Sequence, residues 1–392
     1  MTHIKHPYED RELTVGSLCE LAAAVALGTA KDVTEKLDGV SLMYTCTARF
    51  EPRAARNMTD VKAGGMHHSV LDARFTGRGV VQDTFNNGFA AIRRFLLDQP
   101  SSAILKACND GQTFFTAEIL YSRNPNVVRY DTDTVVLHSN PVITRTTEKV
   151  TTLSCEQAAA AFAPLEKGCD GAQSQGWVVR GPCKVALQEL ADLNTLDTFT
   201  RAAEAWGDQG ESLQDCLLRR AEVTLRSMGL VGGTLEAAAG RLSERDGSAT
   251  LTQLRSRVSG DVYRLLKGSD DWVSATLRPL ELAVAEFGAA VAAGVKPTLL
   301  SDHQSQVERV RQKLSESVAL VKASPDPRVT AYAKPHLEKL ASVERFQTAV
   351  EGIVVPWRGA LYKFTGMFAP ANALMGLCKY GLGKAVPPVT GR

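Results

Sequence analysis

The chain has 392 residues, 44% of them hydrophobic and 22% charged, an ordinary globular composition long enough for two or three folding units. Lysine and arginine number 45 against 43 acidic residues, a formal charge of +2, so no global excess of positive charge marks a nucleic-acid coat. The opening MTHIKHPYEDRELTVGS lacks an apolar signal core, and no run approaches the ~18 apolar residues of a membrane span, so no membrane is expected among the partners.

Taken in chain order, residues 18–27 form an alanine- and leucine-rich helical stretch. From about 33 to 145 the texture turns to short strands: 40–47, 113–120 and 134–138, rich in β-branched and aromatic residues. Between them, 83–98 reads as a helix with Phe89, Ile92, Phe95 and Leu96 on one face. From 150 to 345 apolar residues recur three and four apart, predicting helices over 157–162, 213–228, 235–242, 271–293, 303–321 and 327–350. Glycine and proline punctuate the joins at Gly232-Gly233, Lys296-Pro297, Pro325 and Pro327. Strands return at 352–355 and 360–364, and a helix over 371–380 precedes a Pro-rich tail. The pattern predicts an α+β protein of antiparallel sheets with a large helical insertion. Residues 1–150 and 346–392 would form one domain and 151–345 the insertion. The eight cysteines, at 19, 46, 108, 155, 169, 183, 216 and 378, make no C-x-x-C pair and no zinc-like cluster with histidine, which suggests reduced, buried thiols in a cytoplasmic protein.

The chemistry is concentrated in Glu35-Lys36-Leu37-Asp38-Gly39-Val40, where a lysine precedes a glycine turn and a strand. A lysine amine is protonated below a pKa of about 10.4 and becomes a nucleophile only when neighbouring cations or desolvation lower that value. Lys36 is the candidate nucleophile, able to attack the α-phosphate of a nucleoside triphosphate and expel pyrophosphate. K-x-D-G alone is a weak pattern, but three further segments follow in order: Phe115-Thr116-Ala117-Glu118-Ile119-Leu120, Glu351-Gly352-Ile353-Val354-Val355 and Leu361-Tyr362-Lys363-Phe364.

This ordered set resembles the covalent nucleotidyltransferase superfamily of polynucleotide ligases and mRNA capping enzymes. The resemblance covers about residues 33–140 and 345–368. It implies an ATP-grasp-like nucleotidyltransferase domain in which Lys36 accepts the nucleotide, with Glu35, Asp38 and Gly39 in its motif, and Glu118 binds the ribose. It also implies that Glu351 assists the metal and Lys363 contacts the α-phosphate. An arginine for the phosphate or acceptor strand comes from Arg56 or Arg74, with Arg56 preferred, and the 62–66 turn could add a contact. Leu137 or His138 stands at the place of the purine-stacking aromatic, His138 reading otherwise as a core histidine.

Three departures stand out. Thr365 occupies the second lysine place of the fifth motif, for which Arg358 or Lys379 could substitute. No sixth motif or OB domain follows, and the helical block is unusual. The resemblance implies an ATP-dependent ligase of the small or phage RNA-ligase type, joining 5′-phosphate to 3′-hydroxyl ends through lysyl-AMP. ATP and Mg²⁺ would be the cofactors and RNA ends the favoured partners, DNA being possible; a phage-encoded enzyme would act in the host cytoplasm. The alternatives are transfer to another acceptor, as in DNA ligation or capping, and a degenerate nucleic-acid-binding module. Arg219, Arg220, Arg226, Arg241, Arg255, Arg257 and Arg264 make the helical block a candidate surface for nucleic acid or protein, although solvated helix faces commonly carry such charges.

Overall fold

A computed structural model describes residues 4–124, 126–146, 149–166, 168–169, 172–174, 176–244, 250–340 and 342–381; the Pro-rich tail beyond 381 lies outside them. The protein is mixed α+β with largely antiparallel sheets. It divides into two compact units, the first from residues 1–4, 31–186 and 292–392, the second from 5–30 and 187–291. The boundaries at 150 and 345 are therefore corrected. Residues 151–186 and 292–345 belong with the strand-rich unit, because they cover its sheet, and the first helix belongs to the other unit.

In the first unit, strands β1 (Thr34–Lys36), β2 (Val40–Cys46), β3 (Pro52–Ala55), β4 (Thr113–Leu120) and β5 (Thr134–Arg145) precede β6 (Val150–Thr152), β7 (Ala172–Ser174), β8 (Trp177–Arg180), β9 (Gly352–Trp357) and β10 (Ala360–Thr365). The larger sheet runs β3-β2-β4-β5-β8-β7, with β6 paired to β5, and all its pairs are antiparallel except β5 with β8. Alternation along β2, β4 and β5 sorts its faces. Leu42, Tyr44, Phe115, Ala117, Ile119, Val135 and Leu137 enter one core with Phe89, Ile92 and Phe95 of helix Val80–Asp98 and Phe162 of helix Cys155–Glu166. Ser41, Met43, Thr116, Glu118 and His138 turn the other way and line a cavity. Beyond it, Leu37, Leu120, Val136 and Tyr130 pack with residues of helices His303–Ala323, Pro327–Leu340 and Phe368–Tyr380.

The second sheet is small, in the order β1-β9-β10. Lys36 pairs with Gly352 and Thr34 with Val354; on the other side Thr365 pairs with Gly352 and Lys363 with Val354. A Cβ on Gly352 would stand 3.0 Å from the Phe364 carbonyl carbon and 3.0 Å from the Thr365 Cα, so glycine here is a condition of β10 closing on β9.

Several elements differ from the sequence expectation. Strand β5 continues past 138 to Arg145, its partner β4 shifting register between Phe115 and Thr116. The helix expected to 350 stops at Leu340, and Phe346, Ala349 and Val350 are buried in an irregular segment instead. All eight cysteines are free thiols, but Cys378 is exposed, and Cys19 and Cys155 are only partly covered.

The second unit contains helices Val15–Ala26, Asn194–Glu204, Leu213–Ser227, Gly232–Leu242, Leu251–Leu254 and Gly260–Lys267 and most of Ser269–Gly294. Leu225, Leu235, Leu242, Leu254, Val262 and Leu266 form a core of their own. Five of the seven arginines named in this block have local partners. Arg219 bonds Glu211 at 2.7 Å, Arg226 pairs with Glu222 and Arg264 with Asp261, while Arg220 and Arg255 lie over the rings of Trp206 and Tyr263.

Overpacking a closed site costs about 1–3 kcal/mol. Gly352→Ala is expected to lower stability by that amount in urea unfolding. Gly233→Ala, at a helix start with nothing within 4 Å of its Cβ, should be neutral or slightly stabilising.

Candidate active site

Lys36 ends β1 and turns toward the cavity, because the alternation places Thr34 and Lys36 on one face and Glu35 on the other. Its Nζ lies 3.0 Å from Glu351 Oε2 and 3.3 Å from the Leu37 carbonyl oxygen. The side chains of Lys36 and Glu351 are 24% and 20% exposed, so the pair faces a partly wet cleft. Burial by itself would lower the amine, but Glu351, followed by Glu118 and Asp38, outweighs it and holds the ammonium above the usual lysine range. The lowering that a nucleophilic lysine needs is thus not supplied by its neighbours in the folded chain. Lys363 pairs with Val354, opposite the Thr34 partner across β9. Two strand spacings, about 10 Å, separate its row position from β1, whereas carboxylates stand beside the amine.

Glu118 and Asp38 carry the reciprocal strain. Burial raises Glu118 to about 7 against the attraction of Lys36, and Glu351 and Asp38 add to the rise. Its Oε1 accepts the Gly39 N–H at 3.2 Å. Asp38 is 7% exposed and is also raised to about 7, by burial and then by Glu351. Its Oδ2 accepts the Val127 and Val128 N–H groups at 2.6 and 2.7 Å, and its own N–H donates to the Tyr130 hydroxyl at 2.9 Å. The Asp38 carboxylate is therefore spent on clamping the 126–130 loop, while Asn126 Nδ2 donates to the Gly39 carbonyl at 2.8 Å. Gly39 serves close packing rather than an unusual turn. A Cβ there would stand 2.7 Å from Glu118 Cγ and 2.8 Å from the Ile119 oxygen.

Glu35 points away from Lys36. Its buried carboxylate accepts the Thr298 N–H at 2.8 Å and hydroxyl at 2.6 Å, and burial raises its pKa. The two arginine candidates separate. Arg56 donates to the Ser41 carbonyl, lies over the Phe85 ring at 4.4 Å, and has Glu118 and Asp60 as opposing charges once burial has lowered it. Arg74 is bound through both terminal nitrogens to Asp60, at 2.7 and 2.9 Å, and braces the Arg56 segment. The 62–66 turn packs Gly64 against the Arg145 guanidinium. His138 lines the cavity beside Lys36 and is half-buried; burial and then Lys36 lower it to about 4, leaving a neutral imidazole. The core-histidine expectation is corrected, since Leu137 is the core residue and His138 faces the site.

Thr365, 5% exposed, shares the cross-strand row of Lys36 and Gly352. Of its suggested substitutes, Arg358 sits at the far turn of the β9–β10 hairpin over Trp357, and Lys379 donates to Asn124 Oδ1 at 3.2 Å. Ser41 and Thr116 also line the cavity, at polar positions of the β2 and β4 alternation, which is the signal for them in the sequence. Among the described residues no group of three His, Cys, Asp or Glu side chains is arranged to hold a metal. Glu351 and Glu118, both charge partners of Lys36, match the one or two carboxylates with which Mg²⁺ is held alongside substrate phosphates.

Comparison with family models, with curated proteins and with solved structures finds no match. No helix among the described residues is long and apolar enough to cross a membrane.

A carboxyl raised from its unfolded value of about 4.5 to about 7 contributes stability at low pH that is lost as pH rises through that window. Glu118→Gln, which cannot ionise, should therefore melt near the wild-type temperature at pH 5 and a few degrees higher at pH 8. A uniform offset between the two pH values in calorimetry would contradict this electrostatic account.

Proposed function

We propose that the protein is an ATP-dependent polynucleotide ligase, with RNA ends favoured, that carries AMP covalently on Lys36. The observation that supports this reading is the convergence of Lys36, Glu118 and Glu351 from three distant segments, with Arg56 in the electrostatic reach of Glu118. A structural lysine needs one counter-charge. Three carboxylates stand around one amine, and burial raises two of them to about 7, a perturbation of the kind that clusters at functional sites.

In the proposed reaction the Lys36 proton leaves along the hydrogen bond to Glu351. The neutral amine attacks the α-phosphorus of ATP, a P–N bond forms, and the P–O bond to pyrophosphate breaks. A strand's 5′-phosphate oxygen then displaces Lys36 from the phosphoramide, and a 3′-hydroxyl of the second end displaces AMP. Glu118 is positioned for the ribose, Arg56 and Lys363 for phosphate charge, and His138 offers a neutral ring to the cavity. Magnesium bound by Glu351 and phosphate oxygens would neutralise charge developing on the phosphates. The second reading, a binding module without catalysis, is favoured by the closed Lys36–Glu351 ion pair and by Thr365 in place of a cation.

Intact-protein mass spectrometry after incubation with ATP and Mg²⁺ decides between them. The expected result is a gain of one AMP, released from Lys36, and no gain for Lys36→Arg, which keeps the charge that the carboxylates require. Absence of any nucleotide adduct on the wild type would establish the second reading, and a GMP adduct from GTP would point to a capping-like transfer. Because Lys36 is held above the lysine range, its neutral fraction grows about tenfold per pH unit, and adduct formation should accelerate as pH rises. Glu351→Gln removes the charge that retains the proton, so the same rise should begin at lower pH, with a slower metal-dependent plateau.

A further inference from the structure

Four cations of the first unit, Arg129, Arg309, Lys313 and Lys379, gather around the loop that clamps Asp38. Arg309 and Lys313 are four residues apart on helix His303–Ala323 and so share one of its faces. Lys379 belongs to helix Phe368–Tyr380, which packs on that helix, and Arg129 to the loop itself. Arg309 Nη2 donates to the Val127 carbonyl at 3.2 Å and Lys379 Nζ to Asn124 Oδ1 at 3.2 Å. Both acceptors are neutral. Arg129, Lys313 and Lys379 are exposed and Arg309 is half-buried. The charges feel one another: after burial, Arg309, Lys379 and Arg129 together depress Lys313, with Glu316 the carboxylate that opposes them. Arg309 is likewise lowered by burial and then by Arg129, with Asp38 opposing.

Such self-repulsion differs from Arg219, Arg226 and Arg220 of the second unit, which meet Glu211, Glu222 and the Trp206 ring. Like charges packed together at a surface, in a chain of nearly balanced composition, generate a focused positive potential suited to a repeating anion. Cations drawn from two helices and a loop offer several separate contacts, as a chain of phosphates needs and one small anion does not.

We propose that Arg129, Arg309, Lys313 and Lys379 form a binding surface for the sugar–phosphate backbone of a nucleic-acid strand. Its role as the holder of the strand to be joined rests on the ligase reading, but binding itself does not. Val127 and Val128, which grip Asp38 beside Lys36, belong to the same loop, so a strand held here lies next to the turn that presents the nucleophile.

The test is fluorescence anisotropy with a fluorescein-labelled single-stranded oligouridylate, titrated with the full-length protein from about 50 to 200 mM salt. Four phosphate contacts predict a slope of log affinity on log salt of about −3 from this cluster. The triple variant Arg129→Gln, Lys313→Gln, Lys379→Gln alters exposed side chains only. It should flatten the slope by about 2 and weaken binding at least about tenfold at the lowest salt, with an unchanged circular dichroism spectrum and melting temperature. Removing the same charge elsewhere in the unit, by Lys322→Gln, Arg328→Gln and Lys334→Gln, should leave the slope in place. An unchanged slope in the first variant, an equal loss in the second, or equally strong competition by polyglutamate would overturn the assignment. Oligonucleotide binding with the expected slope but no AMP adduct would uphold the surface and remove the ligase reading. An adduct without oligonucleotide binding would do the reverse.

Discussion

The arrangement of the first unit turns on a single ammonium group set among carboxylates. Lys36 touches Glu351 and feels Glu118 and Asp38, so its positive charge is what allows three acidic side chains to stand in one half-buried cleft. Two of them remain strained even so, held near neutral pH by burial and by one another. An amine stabilised as its cation is a poor nucleophile. Chemistry at this site therefore needs a partner that takes over the carboxylate charge, and a metal-bound triphosphate is the partner proposed.

Geometry around the cluster is fixed by absent side chains as much as by present ones. Gly39 leaves room for the backbone of β4 and the stem of Glu118; Gly352 lets β10 close on β9 and sets Lys36, Gly352 and Thr365 in one row. Asp38, although in the lysine motif, works as a clamp on the 126–130 loop, and Arg74 holds Asp60 behind Arg56. These contacts pin backbone and leave the cavity face to Lys36, Glu118 and His138, with Glu351 bonded to Lys36. Surface ion pairs contribute little by comparison.

Much of this architecture was legible beforehand, for local reasons. Strand β4 has an apolar and aromatic run with definite edges, and helix Val80–Asp98 shows its stripe in Phe89, Ile92, Phe95 and Leu96, so each was read nearly to its ends. Strand β1 was not seen: three residues, Thr-Glu-Lys, carry no periodic signal and become a strand only by pairing with β9. The segment after Leu340 keeps helical spacing in its apolar residues, yet Phe346 and Val350 are buried without a helix. The order of motifs brought Lys36, Glu118 and Glu351 to attention, whereas the direction of the Lys36 pKa depends on which charges lie nearest. That is a matter of strand order, and adjacency in sequence does not reveal it.

The Lys36–Glu351 contact joins positions 315 residues apart, and β1 finds its hydrogen-bonding partner only in β9. Lys36 is therefore made long before Glu351 and β9, and until they follow it has neither its neighbouring strand nor its nearest countercharge. Closing so long a loop is slow compared with local helix formation. A nascent chain interrupted anywhere before β9 therefore lacks both partners of Lys36, and the charged cluster assembles only once that strand is present.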